Sequence, residues 1–300
     1  MTPPEAVRLA GAPISWGVCE VPGWGHQMAP QRVLEEMREA GLAATELGPP
    51  GFLPRRASEL AGTLAGAGLR LVGGFVAAVL HQPARRPVAI AAIAEAASTI
   101  ATGGGEVLVL AASSADDGYD SRETLDASAW AELARGIEQA AAIAGSSGLT
   151  VAFHPHAGTV VERADEVRRL LEVSPVGLCL DTGHLLIGGA DPVQIAAAAA
   201  GRIVHAHLKD VDASLAERVR SGRLRYSEAV AQGLYRALGD GDVDVSGLLH
   251  QLRSDSYGGW YVLEQDVALA GEPDRGEGPL LDAGRSVARF NRLAAAVANG

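Results

Sequence analysis

Histidines cluster in the middle of this 300-residue chain at positions that suggest metal binding or proton transfer. The stretch VAFHPHAGT, residues 151–159, is an apolar run that ends in His154 and His156. Five of the eight histidines lie at or just after the ends of such runs: His154, His156, His184, His205 and His207. Imidazole nitrogens are common ligands of divalent metals, and an imidazole that is not a ligand transfers protons near neutral pH. The spacing therefore indicates a site at which several histidines act together.

Carboxylates and one lysine follow the same kind of apolar run. Asp181 ends one run, Glu264 ends another, and Lys209 with Asp210 ends a third. Each has an ordinary explanation on its own: Asp181 as a turn residue bonded to its own backbone, Glu264 as a surface carboxylate, and His154 as a hydrogen-bonded core residue. Burying so many ionisable groups without partners would cost several kcal/mol or shift their pKa values. The joint pattern therefore favours a functional site.

The elements that must position these residues alternate along the chain. Short apolar runs, from APISW and AATELG near the start to RIVHAHLKD and GGWYVLEQD near the end, are separated by longer helical patterns, which makes eight strand and helix pairs. The interval after RIVHAHLKD is interpreted as helical to about residue 253, and a last helix begins at about residue 280. Near-continuous apolar strands with helices between them indicate a parallel sheet covered on its faces. The pattern predicts an α/β fold, a single (β/α)₈ TIM barrel domain over residues 1–300.

An open doubly wound sheet fits less well, because it usually has a glycine-rich phosphate turn after its first strand. The glycine run TGGGE, residues 102–106, precedes a strand and is expected to end a helix.

Active sites of such barrels lie where the strands end, and side chains alternate between the barrel interior and the helix layer. On that basis His154, Asp181, His207 and Glu264, from four successive strands, point inward and converge at the barrel mouth. Two imidazoles and two carboxylates suit Mn²⁺, Co²⁺, Fe²⁺ or Zn²⁺ and leave positions open for water or substrate oxygens. The quartet is therefore our predicted metal site.

Three further residues are expected near the substrate. Glu46 and Trp16 are predicted to end strands two and one in the same layer, and His205 shares a face with His207. For Glu46 a contact to a substrate hydroxyl and a salt bridge at the barrel rim both remain open. For Trp16 the alternatives are packing and an aromatic wall for the apolar face of a ring. The segment PGWGHQM, residues 22–28, is either a loop over the mouth or an ordinary surface connection.

Composition excludes several classes of partner. A formal net charge of −11 repels phosphate backbones, and only 4% of residues are aromatic, so nucleic acid is not expected to bind. No segment is apolar for long enough to span a bilayer, and the N-terminal stretch MTPPEAVRLAG lacks the pattern of a signal peptide, so we expect a cytoplasmic protein without a membrane partner. Two cysteines, Cys19 and Cys179, cannot form a disulfide framework, and Cys179 is interpreted as a small core residue.

The motifs that contain these residues resemble the xylose-isomerase-like barrel superfamily and, within it, the inosose dehydratases (2-keto-myo-inositol dehydratases). The similar stretches cover most of the chain: APISW, TELGPPGFLP, FHPHAGTVVERADEVRRLL, DTGHLLIGGADP, GRIVHAHLKD and GDGDVDVSGLLHQLRSDSYGGWYVLEQD. The resemblance implies an enzyme that uses a divalent metal, Mn²⁺ or Co²⁺ first and Zn²⁺, Fe²⁺ or Mg²⁺ as alternatives. It also implies that the metal ligands fall on the same quartet.

Two departures from the wider pattern bear on the substrate. The sugar isomerases and epimerases of the superfamily have a glutamate at the position of His154, so the imidazole here weakens an epimerase interpretation. Glu264 runs directly into Gln265 and Asp266, whereas dehydratases often have two extra residues there. The position of Trp260 in the strand supports Glu264 as the ligand, and the shorter loop leaves the substrate open.

The implied substrate is a cyclitol or sugar ketone, and the implied reaction is loss of water. A ketone polarised by the metal would lose a neighbouring C–H proton to give an enolate, and a proton donor would assist departure of the β-hydroxyl. We expect catalytic roles for His156, His184 and Lys209 beside the ligand Glu264, in an order that the sequence leaves open. The alternatives are a metal-dependent ketose epimerase or cyclitol isomerase and a non-catalytic sugar-binding barrel. Relatives also suggest a homo-oligomer.

Overall fold

Eight parallel strands form a closed barrel in a computed structural model that describes residues 7–114 and 118–299. The barrel strands are β1 (Leu9–Gly11), β2 (Ala44–Glu46), β3 (Arg70–Ala78), β4 (Val107–Ala112), β5 (Thr150–Phe153), β6 (Gly177–Asp181), β7 (Ile203–Leu208) and β10 (Tyr261–Leu263). They follow the order β1-β10-β7-β6-β5-β4-β3-β2 around the barrel. The predicted (β/α)₈ barrel is therefore confirmed, while residues 1–6 of the N-terminal stretch and Gly300 lie outside the described residues.

Helices lie between the strands, and most of them cover the outer face of this barrel. They are α1 (Pro30–Glu39), α2 (Ala57–Ala67), α3 (Arg86–Thr102), α4 (Ala127–Ser146), α5 (Ala164–Val173), α6 (Thr182–Ile187), α7 (Pro192–Ala198), α8 (Ala213–Arg220), α9 (Tyr226–Ala231), α10 (Val245–Ser254) and α11 (Pro279–Asn299). Helix α3 ends before the glycine run, as predicted. Among the described helices, none is both long and apolar enough to cross a membrane.

Alternation of side chains along the strands produces two apolar regions. Leu108, Leu110 and Phe153 point outward and pack under the helices, whereas Val109, Ala152 and Cys179 point into the barrel. Residues on or next to β1, β2, β3 and β10 fill the rest of the interior, and all but Trp260 are small or medium-sized: Ala10, Ala12, Ala44, Val72, Trp260 and Val262. Cys179 is fully buried in this interior, in agreement with its interpretation as a small core residue.

The first predicted strand is wrong in position. APISW does not form β1, which ends at Gly11; instead Pro13–Trp16 form a 3₁₀ helix. Pro13 has no backbone N–H for a strand ladder and is favoured in the first turn of a helix. Gly17 then ends the turn with φ 76°, a left-handed conformation that glycine adopts without strain. Trp16 consequently does not end a strand.

The interval between β7 and β10 is also more complex than a helical stretch. It contains α8, α9 and α10 together with an antiparallel pair, β8 (Asp210–Val211) and β9 (Tyr235–Arg236). The side chains of Asp212 and Asp244 accept hydrogen bonds from the backbone N–H groups of Leu215 and Gly247 and so start α8 and α10. Gly233, with φ 82°, turns the chain between α9 and β9. These capping and turn residues divide the interval into short elements.

Candidate metal centre and active site

Four neighbouring strands bring the predicted quartet to one end of the barrel. Strands β5, β6, β7 and β10 are adjacent, and Asp181 on β6 pairs in register with His207 on β7. His154 follows the last residue of β5, and Glu264 follows the last residue of β10. All four side chains are buried. The strand order therefore places them together.

The distances show a continuous set of contacts among the four residues. The Nδ1 atom of His207 lies 3.0 Å from Oε2 of Glu264 and 3.5 Å from Oδ2 of Asp181. The Nε2 atom of His154 lies 3.2 Å from the same Asp181 oxygen. Ligand atoms of Asp181, His207 and Glu264 all lie within 4.8 Å of one another. The contacts thus run from His154 through Asp181 and His207 to Glu264.

The unsatisfied atoms of this cluster fit a divalent cation. Among the described residues, Nδ1 of His207 has no hydrogen bond of acceptable geometry, although it faces two carboxylate oxygens. Buried polar atoms rarely stay without a partner. A cation between these atoms would satisfy the nitrogen and both carboxylates, and a set of two imidazoles and two carboxylates suits the ions named above. The residues present therefore match a metal site.

Lys209 lies beside this cluster and is surrounded by carboxylates. Its Nζ atom is 2.7 Å from Oδ1 of Asp266, 3.0 Å from Oε2 of Glu264 and 3.6 Å from Oδ2 of Asp181. Burial alone would lower the pKa of Lys209, but the three carboxylates outweigh it and raise that pKa well above its ordinary value. Lys209 is therefore an ammonium in this arrangement.

Asp210, the neighbour of Lys209 in sequence, does not face it. The carboxylate of Asp210 accepts hydrogen bonds from the backbone N–H groups of Gly239, Gly241 and Val243, and so holds the chain after β9. Adjacent residues of an extended strand point to opposite faces, which separates the two side chains.

His156 and His184 stack on each other but differ in access to the site. Their ring centroids are 3.7 Å apart. His156 lines the central cavity, and its Nδ1 atom donates a hydrogen bond of 2.7 Å to the carbonyl oxygen of Ala157. His184 lies behind Lys209, with Nε2 3.1 Å from Nζ. Burial, strengthened by neighbouring positive groups, lowers the pKa of both histidines well below the ordinary value, so both are neutral.

A cavity of about 330 Å³ opens above the cluster and has two unlike walls. One wall is polar and is formed by residues that follow the later strands: His154, His156, His207, Lys209, Glu264 and Asp266. The facing wall is mostly apolar and comes from the first part of the chain: Ile14, Val18, Trp24, Leu47, Phe75 and Val76. The volume is that of a site for a small organic molecule.

The three residues expected near the substrate differ in position. Glu46 lines the cavity, and its Oε1 atom lies 2.8 Å from Nε2 of His205 and 3.0 Å from Nε2 of His207. His205 is fully buried below the cavity. Trp16 is buried against α1, where its Nε1 atom donates to Glu36. The structure thus places Glu46 at the cavity and gives His205 and Trp16 packing positions beneath and outside it.

Asp266 and Tyr226 belong to the site, although neither residue is among those expected from the sequence. Tyr226, the first residue of α9, lines the cavity and donates a hydrogen bond of 2.9 Å to Oδ2 of Asp266. Asp266 lies two residues after Glu264, and that spacing was a usable signal for a second inward acid. Tyr226 had no such signal because it belongs to the interval interpreted as one helical stretch. Within the 22–28 segment, Trp24 lines the cavity and donates from Nε1 to the carbonyl oxygen of Val267.

Fold and site together define a (β/α)₈ barrel with a histidine and carboxylate centre at the carboxyl ends of its strands. The family model described as the xylose isomerase-like TIM barrel matches residues 34–282. The chain belongs to this family.

Two curated proteins resemble this chain over most of their length. An inosose dehydratase of Geobacillus kaustophilus is 33% identical over 88% of this chain and 89% of its own length. The rhizopine catabolism protein MocC of Rhizobium meliloti is 35% identical over 87% of this chain and 82% of its own length. Both similarities therefore extend over nearly the whole barrel.

Solved structures share the fold at lower identity. An L-ribulose 3-epimerase superposes with a TM-score of 0.72 at 16% identity, covering 98% of this chain and 96% of that one. The IolI protein with a bound zinc atom superposes with a TM-score of 0.71 at 13% identity, covering 97% and 99%. These likenesses establish the architecture.

Proposed function

We propose that this protein is a metal-dependent hydro-lyase that removes water from a cyclic polyhydroxy ketone of the 2-keto-myo-inositol type. The observation that carries the proposal is the joint presence of the buried group of Asp181, His207 and Glu264, with His154 in contact with Asp181, and of similarity to an inosose dehydratase over 88% of the chain. His154, Asp181, His207 and Glu264 would hold the ion. A bound divalent cation would supply Lewis acidity, which polarises the ketone and offsets negative charge on its oxygen.

His156 is the proposed general base. Because the carbonyl oxygen of Ala157 can only accept, Nδ1 of His156 carries the hydrogen, and Nε2 has a free lone pair. The residue lines the cavity, so this lone pair can take the C–H proton next to the ketone. Because the ring of His156 is neutral, it can accept that proton.

Lys209 is the proposed general acid. The electron pair left by the C–H proton forms a C=C bond as the C–O bond of the β-hydroxyl breaks, and the leaving oxygen takes a proton from the ammonium, so that water is released. Nζ of Lys209 donates a hydrogen bond of 2.7 Å to Oδ1 of Asp266, and the hydroxyl of Tyr226 donates to the other oxygen of Asp266. His184 contacts Nζ of Lys209 but does not line the cavity, and it is proposed to position Lys209.

Several finer assignments also remain proposals. Mn²⁺ or Co²⁺ is our first choice of ion, with Zn²⁺ and Fe²⁺ as alternatives that suit two imidazoles and two carboxylates, and Mg²⁺ as the alternative least suited to imidazole ligands. A contact of Glu46 with a substrate hydroxyl, a cytoplasmic location and a homo-oligomer are likewise kept as predictions.

The test is to incubate metal-stripped protein with 2-keto-myo-inositol, with and without Mn²⁺ or Co²⁺, and to follow ultraviolet absorbance and product mass. Metal-dependent absorbance with loss of one water is expected. A product of unchanged mass would instead identify an epimerase or isomerase. Binding of the ketone without any product would identify a non-catalytic barrel.

A further inference from the structure

Glu46 makes a contact that crosses the barrel interior. It ends β2, which pairs with β1 and β3, whereas both of its partners lie on β7. A single oxygen, Oε1, lies 2.8 Å from Nε2 of His205 and 3.0 Å from Nε2 of His207. All three side chains are at most 3% exposed. The contact is therefore a buried bridge between strands that are not neighbours.

Strand alternation directs Glu46 into the barrel. Glu46 lies two residues after Ala44, which packs in the barrel interior, so its side chain points to the same inner face. On the side of the barrel between β2 and β7, the interior is lined by Ala10 and Ala12, on and just after β1, and by Trp260 and Val262, just before and on β10.

The contact determines which nitrogen of His207 carries a hydrogen. A carboxylate oxygen only accepts hydrogen bonds, so Nε2 of His207 is the donor in its contact with Glu46. In the neutral ring Nδ1 then has a free lone pair, and this is the atom that faces Oδ2 of Asp181 and Oε2 of Glu264. Hydrogen bonding at the second nitrogen is how proteins fix the tautomer and the orientation of a metal-binding imidazole.

We propose that Glu46 is a positioning residue that fixes the Nε2-protonated form of His207 and directs Nδ1 toward the metal, with His205 as the second anchor of the same oxygen. The inference rests on the proposed metal site. It gives Glu46 a task beyond the substrate contact expected from the sequence.

Metal affinity tests this role without recourse to turnover. Co²⁺ binding by the metal-stripped protein is measured by competition with a chelating dye for the parent, Glu46→Leu and Glu46→Gln. Glu46→Leu should weaken Co²⁺ binding by about 10- to 100-fold and change the Co²⁺ absorption spectrum. Glu46→Gln should retain most of the affinity, because its amide oxygen still accepts from Nε2. Equal affinity of parent and Glu46→Leu, or equal loss in both variants, would overturn the proposal.

Glu36 offers a matched control. It is also 3% exposed, and its two oxygens accept from Trp16 and Arg32, away from the metal cluster. Glu36→Leu and Glu36→Gln should leave Co²⁺ affinity unchanged even if they lower the melting temperature. If the Glu36 variants lost as much Co²⁺ affinity as the Glu46 variants, general destabilisation would explain the loss, and the positioning role of Glu46 would be overturned.

The tautomer itself is measured on the parent protein, so the proposal does not depend on folding of any variant. In ¹⁵N-histidine spectra of the Zn²⁺-loaded parent, His207 should carry its hydrogen on Nε2 and none on Nδ1. A hydrogen on Nδ1 would overturn the inference while leaving the proposed dehydratase standing. A parent that binds neither Zn²⁺ nor Co²⁺ would overturn the metal dependence in the proposed function, and this inference with it.

Discussion

At the scale of single residues, Lys209 and His207 contact the same oxygen of Glu264. Nζ of Lys209 and Nδ1 of His207 each lie 3.0 Å from Oε2 of that residue. One carboxylate oxygen thus serves a proposed ligand and a proposed acid. Substituting Lys209 would remove the proton donor and leave the quartet intact, so chemistry and metal binding can be separated at this position.

We expect Lys209→Met to lower kcat by about 10²- to 10⁴-fold, the usual contribution of a general acid, while Co²⁺ is still bound. Lys209→Arg should not restore turnover, because the planar guanidinium cannot take the place of the compact ammonium between Asp266 and Glu264 and holds its proton still more tightly. Steady-state kinetics and dye competition on the same preparations check both statements. Turnover within a few-fold of the parent would contradict the assignment.

The two stacked histidines should differ in effect. His156→Gln removes the proposed base and should lower kcat by about 10²-fold or more, whereas His184→Gln should cost less because His184 does not line the cavity. His250, which is exposed on α10, provides the control, and His250→Gln should behave as the parent. The ranking of kcat values is the measurement, and a larger loss for His184→Gln would reverse the assigned roles.

At the scale of elements, the interval between β7 and β10 contributes to the site through α9. Tyr226 begins this helix and fixes the carboxylate that holds Lys209, so a short helix outside the regular barrel pattern supports the chemistry. Its hydroxyl also lies 2.8 Å from that of Tyr235 on β9. The antiparallel pair of β8 and β9 therefore supports the same network.

Tyr226→Phe removes the hydroxyl that donates to Asp266, and hydrogen bonds to charged groups contribute about 1.5–3 kcal/mol. The free energy of unfolding should fall by an amount in that range. Tyr257→Phe removes a hydroxyl that donates to the neutral carbonyl oxygen of Trp260 and should cost only about 0.5–1.5 kcal/mol. Urea denaturation of both variants measures the difference, and equal losses would contradict the importance of the charged acceptor.

At the scale of the whole molecule, regular features of the sequence predicted the barrel and the quartet. Alternation along β7 placed His205 and His207 on one face, and the order of strands placed Asp181 and Glu264 beside His207. The positions of Trp16 and Tyr226 could not be predicted from the sequence pattern, because they depend on local turn geometry and on contacts between distant segments. Trp16 lies in a 3₁₀ helix and not in a strand because Pro13 starts that helix. Tyr226 and Asp266 are 40 residues apart, and the fold of the intervening β9, α10 and β10 brings them into contact.

Metal binding should stabilise the whole barrel, because the proposed ligands lie on or just after four strands and come together only in the folded state. An ion at about 100 times its Kd adds about 2.7 kcal/mol to the free energy of unfolding. Melting temperatures of metal-stripped protein with and without Mn²⁺ should therefore differ by several degrees. Identical melting curves over a titration of Mn²⁺ and Co²⁺ would count against a metal centre.

The two walls of the cavity belong to different portions of the chain. The proposed metal ligands, acid and base fall between His154 and Glu264, whereas most of the apolar wall is formed by residues between Ile14 and Val76. Glu46 is the residue of the first part that contacts a proposed ligand, His207. Substitutions in the apolar wall that spare Glu46 would therefore change the shape of the substrate site and leave the proposed reaction in place.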